Sequence, residues 1–209
     1  GTLKLLKNLN NTKAIFVDYS FNVFNSLACS LLQQQDNIKS ITLSPELTFE
    51  QIKVINMSSE IERECIVHGY LPLMITEYCA VGALVGGKTA DRVCTKPCLK
   101  NRYGLKDRLN FVFPIEMDES CRMYVYNSKE LCLIEDLFRF KEYGITNLRI
   151  EARRYSLEEV GLVVEFYKKG LEILSERKTN ENMLSLLKEE LERRKGDTFT
   201  KGHYYRGVL

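Results

Sequence analysis

The sequence predicts an α/β protein: a partial, half TIM-type (β/α) barrel carrying a cysteine-rich insertion. Two observations lead there. Short apolar strands alternate with amphipathic helical patterns, the first two strands about 26 residues apart, as βα repeats require. A polar, glycine- and cysteine-rich excursion over about residues 72–128 then interrupts the alternation and is far longer than a βα loop.

Lys13 to Val17 reads as the first strand, followed by Asp18-Tyr19-Ser20 and a helical pattern through Leu27, Leu31 and Leu32. The second unit has Ile41-Thr42-Leu43 as strand, a Ser44-Pro45 break and a helix opened by Thr48 and Gln51 as a capping box. A third strand, Arg63 to Val67, runs into His68-Gly69. After the excursion, Asn127 and Glu130 open an expected helix through Leu131, Ile134, Leu137 and Phe138. The fourth strand, Asn147 to Ile150, ends in Glu151. Ser156 and Glu159 then cap a helix whose Leu157, Val160, Val164, Tyr167, Leu171 and Leu174 recur along one face. A last helix, Asn182 to Arg194, is amphipathic through Met183, Leu186, Leu187 and Leu191.

A closed eight-stranded barrel needs about 250 residues. Four units in 209 residues are therefore read as the C-terminal half of a larger barrel, or as half-barrels that pair; an open four-stranded sheet complete in itself is the alternative. The chain is expected to form one domain, 1–209. Gly1 in place of an initiator Met suggests a fragment, with the N-terminal barrel half as its missing partner.

Composition excludes several classes. With 44% hydrophobic and 28% charged residues, 12 Gly and 4 Pro, the chain is neither collagenous nor disordered. No apolar run approaches the roughly 18 residues of a membrane span, so no membrane partner is expected. Thirty Lys and Arg against 28 Asp and Glu leave a net charge of +2, too small to announce a polyanion ligand by itself. Seven cysteines without a signal peptide place the chain in a reducing cytoplasm.

Cys79, Cys94, Cys98 and Cys121 could form a complete thiolate set for an iron–sulfur cluster, with zinc as the alternative metal. Pro97 should hold the one tight pair, Cys94-Thr95-Lys96-Pro97-Cys98, in an extended or turn geometry. Separately buried thiols are the competing reading; the polar, glycine-rich surroundings favour the metal. Cys29 and Cys132 lie on apolar patterns and are read as core. Gly82 to Thr89 matches G-x-x-x-x-G-K-[ST], but Pro97 follows soon after, two candidate metal ligands flank the loop and the only hydrophobic run ending in Asp, Ile15 to Asp18, precedes it, so no nucleotide is expected.

The strand ends suggest a second site, since a barrel gathers its chemistry at the C-terminal ends of its strands. Asp18, Glu46, His68 and Glu151 are the catalytic candidates there, with Tyr19, Asn22, Arg149 and Arg153 to hold substrate. His68 would transfer protons, because imidazole titrates nearest neutrality; a hydrogen-bonded structural histidine is the alternative. Over residues 88–110, Lys88, Arg92, Lys96, Lys100, Arg102, Lys106 and Arg108 face only Asp91 and Asp107. This stretch either grips RNA phosphates, with Tyr103 to stack, or forms a solvated basic face.

Taken together, Glu64-Cys65-Ile66-Val67-His68-Gly69, Cys79, Cys94-Thr95-Lys96-Pro97-Cys98, Tyr126-Asn127-Ser128-Lys129-Glu130-Leu131, Leu43-Ser44-Pro45-Glu46-Leu47 and Lys201-Gly202-His203-Tyr204 resemble the collagenase-like proteases, peptidase family U32. The resemblance covers nearly the whole chain. It implies an incomplete (β/α) barrel within a longer protein, of which this is the later part. It also implies a peptidase acting on peptides or, as in some members, an iron–sulfur-dependent hydroxylation of RNA cytidine or of a quinone precursor; a non-catalytic binding module is the third possibility. The family pattern places a cysteine three residues after the His-Gly glycine, where this chain has Pro72, which makes Cys121 the candidate replacement ligand.

Overall fold

The computed structural model describes residues 13–35, 37–55, 60–175 and 181–207. The chain divides into two compact units, Gly1–Gly69 with Leu131–Leu209, and Tyr70–Glu130.

The first unit is mixed α/β. Strands β1 (Ile15–Val17), β2 (Ile38–Thr42), β3 (Glu62–Gly69) and β9 (Asn147–Glu151) lie parallel in the order β1-β2-β3-β9. Among the described residues they form an open sheet, with no pairing between β1 and β9. Helices α1 (Ser26–Gln33), α2 (Phe49–Val54), α4 (Leu137–Glu142), α5 (Leu157–Ser175) and α6 (Glu181–Lys195) supply Cys29, Ile52, Phe140, Phe166 and Leu191 to the core. Both predicted capping boxes form: Thr48 with Gln51, and Ser156 with Glu159, whose carboxylate receives the Ser156 N–H at 2.7 Å. The last short helix, α7 (His203–Arg206), buries Tyr204, which packs on Phe49 and Phe140 and donates its hydroxyl to the Ile66 carbonyl at 2.7 Å.

Three expectations are corrected. The helix expected from Leu131 is instead β8 (Leu131–Cys132), paired antiparallel with His68 and Gly69, then a 3-10 turn (Ile134–Asp136) before α4. Leu131 to Ile134 are all buried, and the Cys132 N–H is taken by the Thr200 carbonyl, so tertiary pairing overrides the local cap. On α5 the buried face is Val163, Phe166, Tyr167, Gly170 and Leu174, whereas Leu157 is 88% exposed. Gly170 fixes this rotation: a Cβ there would stand 2.6 Å from a Leu137 methyl, so α4 approaches along the glycine. On α6, Leu184 and Leu191 are buried and Leu186 faces solvent.

The second unit is a four-stranded antiparallel sheet, order β4-β7-β6-β5, from β4 (Pro72–Thr76), β5 (Tyr103–Lys106), β6 (Val112–Met117) and β7 (Met123–Tyr126). Its small core gathers Cys79, Val81, Ile115, Met123 and Val125. Helix α3 (Ala80–Leu84) contains Gly82, so the P-loop-like motif begins inside a helix and ends in the loop after it, the reverse of a strand–loop–helix cradle.

Candidate functional site

Side chains of a strand alternate between faces, so cross-strand partners share one. Phe16 pairs with Ser40, Thr42 with Glu64, and Glu64 with Asn147, which sets Arg149 and Glu151 on that same face of β9. The register shift between Ile66 and His68 then turns His68 the other way.

Arg149 is the centre of the resulting group. Its Nη1 lies 2.5 Å from Asp18 Oδ1 and 3.6 Å from Glu64 Oε1, and its Nε lies 2.5 Å from Glu151 Oε1. Arg153 grips the other Glu151 oxygen through Nε and Nη2, both at 2.9 Å. Thr42 donates its hydroxyl to Glu64 at 2.7 Å, and the Arg149 guanidinium stands over the Tyr19 ring at 5.5 Å. The side chain of Glu151 is 7% exposed and that of Arg153 57%, so the network runs from the sheet to solvent. Burial works to lower the pKa of both arginines, but Glu151 together with Asp18 at Arg149, and with Tyr19 at Arg153, raises each, so both stay charged. Phe16, Asp18, Ser40, Thr42, Glu64 and Arg149 line a cavity of about 310 Å³. Gly69 belongs to this architecture: at φ +120° its bare Cα lies against Glu151, whose carbonyl oxygen would be 2.3 Å from a Cβ.

Asp18, Tyr19, Arg149, Glu151 and Arg153 of the expected set therefore come together. Thr42 and Glu64 belong with them and were missed. For Thr42 the signal was the alternation Ser40-Ile41-Thr42; Glu64 lies in the charged run Glu62-Arg63-Glu64, where no alternation marks it. His68 stands apart: it is fully buried on the helix side, its Nδ1 3.3 Å from the Tyr167 hydroxyl and its ring among Tyr155, Tyr167 and Phe199. Glu46 is exposed on the turn after β2, outside the ion-pair group, and Asn22 caps the 3-10 turn after Asp18 in a left-handed conformation.

In the second unit the four candidate cysteines fall into two neighbourhoods. Cys79 caps α3, its sulfur receiving the Gly82 N–H at 3.3 Å; Cys94 receives the Lys96 N–H at the same distance. A Cβ on Gly82 would be 3.5 Å from both sulfurs, and one on Gly86 2.4 Å from the Cys94 sulfur, so bare glycines leave the room these sulfurs occupy. Cys98 packs against the core that contains Cys79, and with Cys121 it lines a second cavity of about 450 Å³. Among the described residues no three His, Cys, Asp or Glu side chains converge as an ion-holding group. The Cys79 and Cys94 sulfurs each accept a backbone N–H, the kind of outer hydrogen bond that ligand thiolates receive. Cys29, Cys65 and Cys132 are buried in the first unit, where burial pushes the Cys65 thiol well above its usual range.

The chain is 25% identical over 214 residues to the uncharacterized protease MJ0090 of Methanocaldococcus jannaschii, a match covering 100% of this chain and 50% of that protein. It is 25% identical over 142 residues to the tRNA hydroxylation protein P1 of Bacillus subtilis, covering 66% of this chain and 33% of that protein. The chain thus spans about half or less of the curated relatives it matches. No solved structure matches it. The model of peptidase family U32 matches residues 1–208, the same family that the sequence motifs resemble, and the chain belongs to peptidase family U32.

Proposed function

We propose that this chain is part of a cytoplasmic enzyme that hydroxylates RNA, and that its open sheet is one half of a (β/α) barrel. The observation that carries the reading is the composition of the second unit, where four cysteines share a small fold with the seven exposed cations between Lys88 and Arg108. Cys79, Cys94, Cys98 and Cys121 would hold an iron–sulfur cluster, which when bound supplies one-electron chemistry. The Arg149 group would bind and orient the reacting partner, with Arg153 and Tyr19 offering a cation and a ring at its solvent end. The uncovered Phe16, 68% exposed on the polar face, supports a barrel half whose inner surface expects a cover. The free cysteines fit a reducing compartment, and no described helix is long and apolar enough to cross a membrane. The name of the bacterial relative points to the same chemistry.

Peptide hydrolysis is the second reading, favoured by the clustered carboxylates of Asp18, Glu64 and Glu151 and by the name of the archaeal relative. Against it, both histidines are engaged elsewhere: His68 in the core with Tyr167, and His203 with the Gly207 carbonyl at 3.0 Å. Deleting the full-length gene and analysing RNA nucleosides by mass spectrometry, beside a peptide-cleavage assay of the purified protein, separates the two. Loss of a hydroxylated nucleoside without peptide cleavage is expected. Unchanged nucleosides with cleavage abolished by Glu151→Gln would establish the peptidase instead.

A further inference from the structure

Many cations elsewhere among the described residues are matched. Arg122 pairs with Asp118, Lys169 with Glu165, Arg193 and Arg194 with Glu190, and Lys188 with Glu192. Around β5, cations without a carboxylate partner cluster in sequence. Lys96, Lys100, Arg102, Lys106 and Arg108 are exposed, and among the described residues none pairs with a carboxylate. Asp107, the acid nearest them in sequence, is occupied: its Oδ1 accepts the Leu109 and Phe111 N–H groups at 2.8 and 2.9 Å.

This stretch is built structure. Lys96 is left-handed at φ 53° and leads into the Pro97–Leu99 turn, whose carbonyl of Pro97 takes the Lys100 and Asn101 N–H groups. Arg102 directly precedes β5, and Lys106 closes it. Because β5 is the edge strand of its sheet, its outer backbone edge is open beside these cations. From Arg102 to Lys106 an extended chain covers about 13 Å, enough for more than one phosphate of a nucleic-acid strand. Phe111, 44% exposed, follows at the hairpin turn as a ring for stacking. Lys96 and Arg102 also line the 450 Å³ cavity that Cys98 and Cys121 share with Glu116, Asp118 and Glu119, so the basic strip borders the candidate metal ligands, while the carboxylates suit the hydroxyl and amino groups of a nucleotide and leave its phosphates to the strip.

We propose that the Pro97–Leu99 turn, the β5 edge and the turn after it form the RNA-docking surface of this protein. The cations take backbone phosphates, and the cavity beside Cys98 and Cys121 receives the nucleotide at that point of the strand. The identity of the polyanion rests on the RNA reading above.

The test uses the full-length protein and a labelled RNA stem-loop, with poly-glutamate of equal charge as competitor. Lys100→Gln/Arg102→Gln/Lys106→Gln should weaken RNA binding about tenfold and flatten the slope of log K against log salt by about 2. Its thermal melt should be unchanged, because these side chains make no ion pairs, and Lys100→Arg/Lys106→Arg should bind like the wild type. RNA binding that survives the triple substitution overturns the docking surface while leaving RNA hydroxylation standing. Displacement by poly-glutamate as effective as by RNA overturns the assignment in favour of an acidic protein partner. Unchanged nucleosides in the deletion strain would remove the RNA reading itself.

Discussion

Arg149 satisfies three carboxylates at once because its guanidinium offers donors in a fixed fork, Nε toward Glu151 and Nη1 toward Asp18 and Glu64. A lysine is a single point charge and cannot span those positions. Arg149→Met should therefore cost about 1–3 kcal/mol, less than a fully buried pair because Arg149 and Asp18 keep contact with water. Arg149→Lys should recover only a minor part. Urea denaturation of the full-length protein measures both, and a lysine variant as stable as the wild type would refute the bridging geometry. The same arginine explains what was readable at this scale. Asp18, Glu151 and Arg153 could be picked out because they follow or end strands, where a parallel sheet gathers its chemistry, and Arg149 because it lies two residues before such an end. Glu64 sits inside β3 and Thr42 ends β2 without a charge, and only the pairing of β2 with β3 and of β3 with β9 reveals that they face the arginine.

Element by element, legibility followed the range of the interaction. The capping boxes at Thr48 and Ser156 are local chemistry over three residues and form as read. The buried face of α5 was misplaced because two apolar stripes interleave, sharing Tyr167 and Leu174, and the choice between them is made by α4 through Gly170. Strand β5 was hidden because its alternation, Tyr103 and Leu105 between Arg102, Gly104 and Lys106, is too short to stand out in a basic run. The cap of α5 carries a pH-dependent prediction. The Ser156 N–H bond holds the Glu159 carboxyl below its ordinary pKa, with burial opposing and Lys195, 3.8 Å away, assisting. A folded-state pKa below the unfolded one means stabilisation present above about pH 4.3 and lost as the pH falls through the lowered folded value. Glu159→Ala should cost about 0.5–1 kcal/mol at pH 7, with the difference from wild type shrinking between pH 4.5 and pH 3.5. A difference constant with pH would mean that the carboxylate does not form the cap.

For the whole molecule, the chain leaves the first unit at Gly69 and re-enters it at Leu131, and these two residues are register partners in the antiparallel pairing of β3 with β8. His68 faces Cys132 one step further in. The ends of the second unit are thus already placed as the two sides of a hairpin, and a two-residue turn is the commonest way to close one. Replacing Tyr70–Glu130 by Asn-Gly should leave the first unit folded, with Leu131, Cys132 and Leu133 still buried and Tyr167 still bound to the Val67 carbonyl. Loop-closure entropy favours the shorter connection, since closing a loop costs more as it lengthens. The excised protein should show one cooperative urea transition and native near-ultraviolet circular dichroism from its buried tyrosines. It should bind no iron, because all four candidate ligands are removed, whereas the intact protein purified anaerobically should carry iron and sulfide. A molten, dye-binding product would show that the first unit depends on the second for its packing, and iron retained after excision would move the metal to Cys29, Cys65 or Cys132.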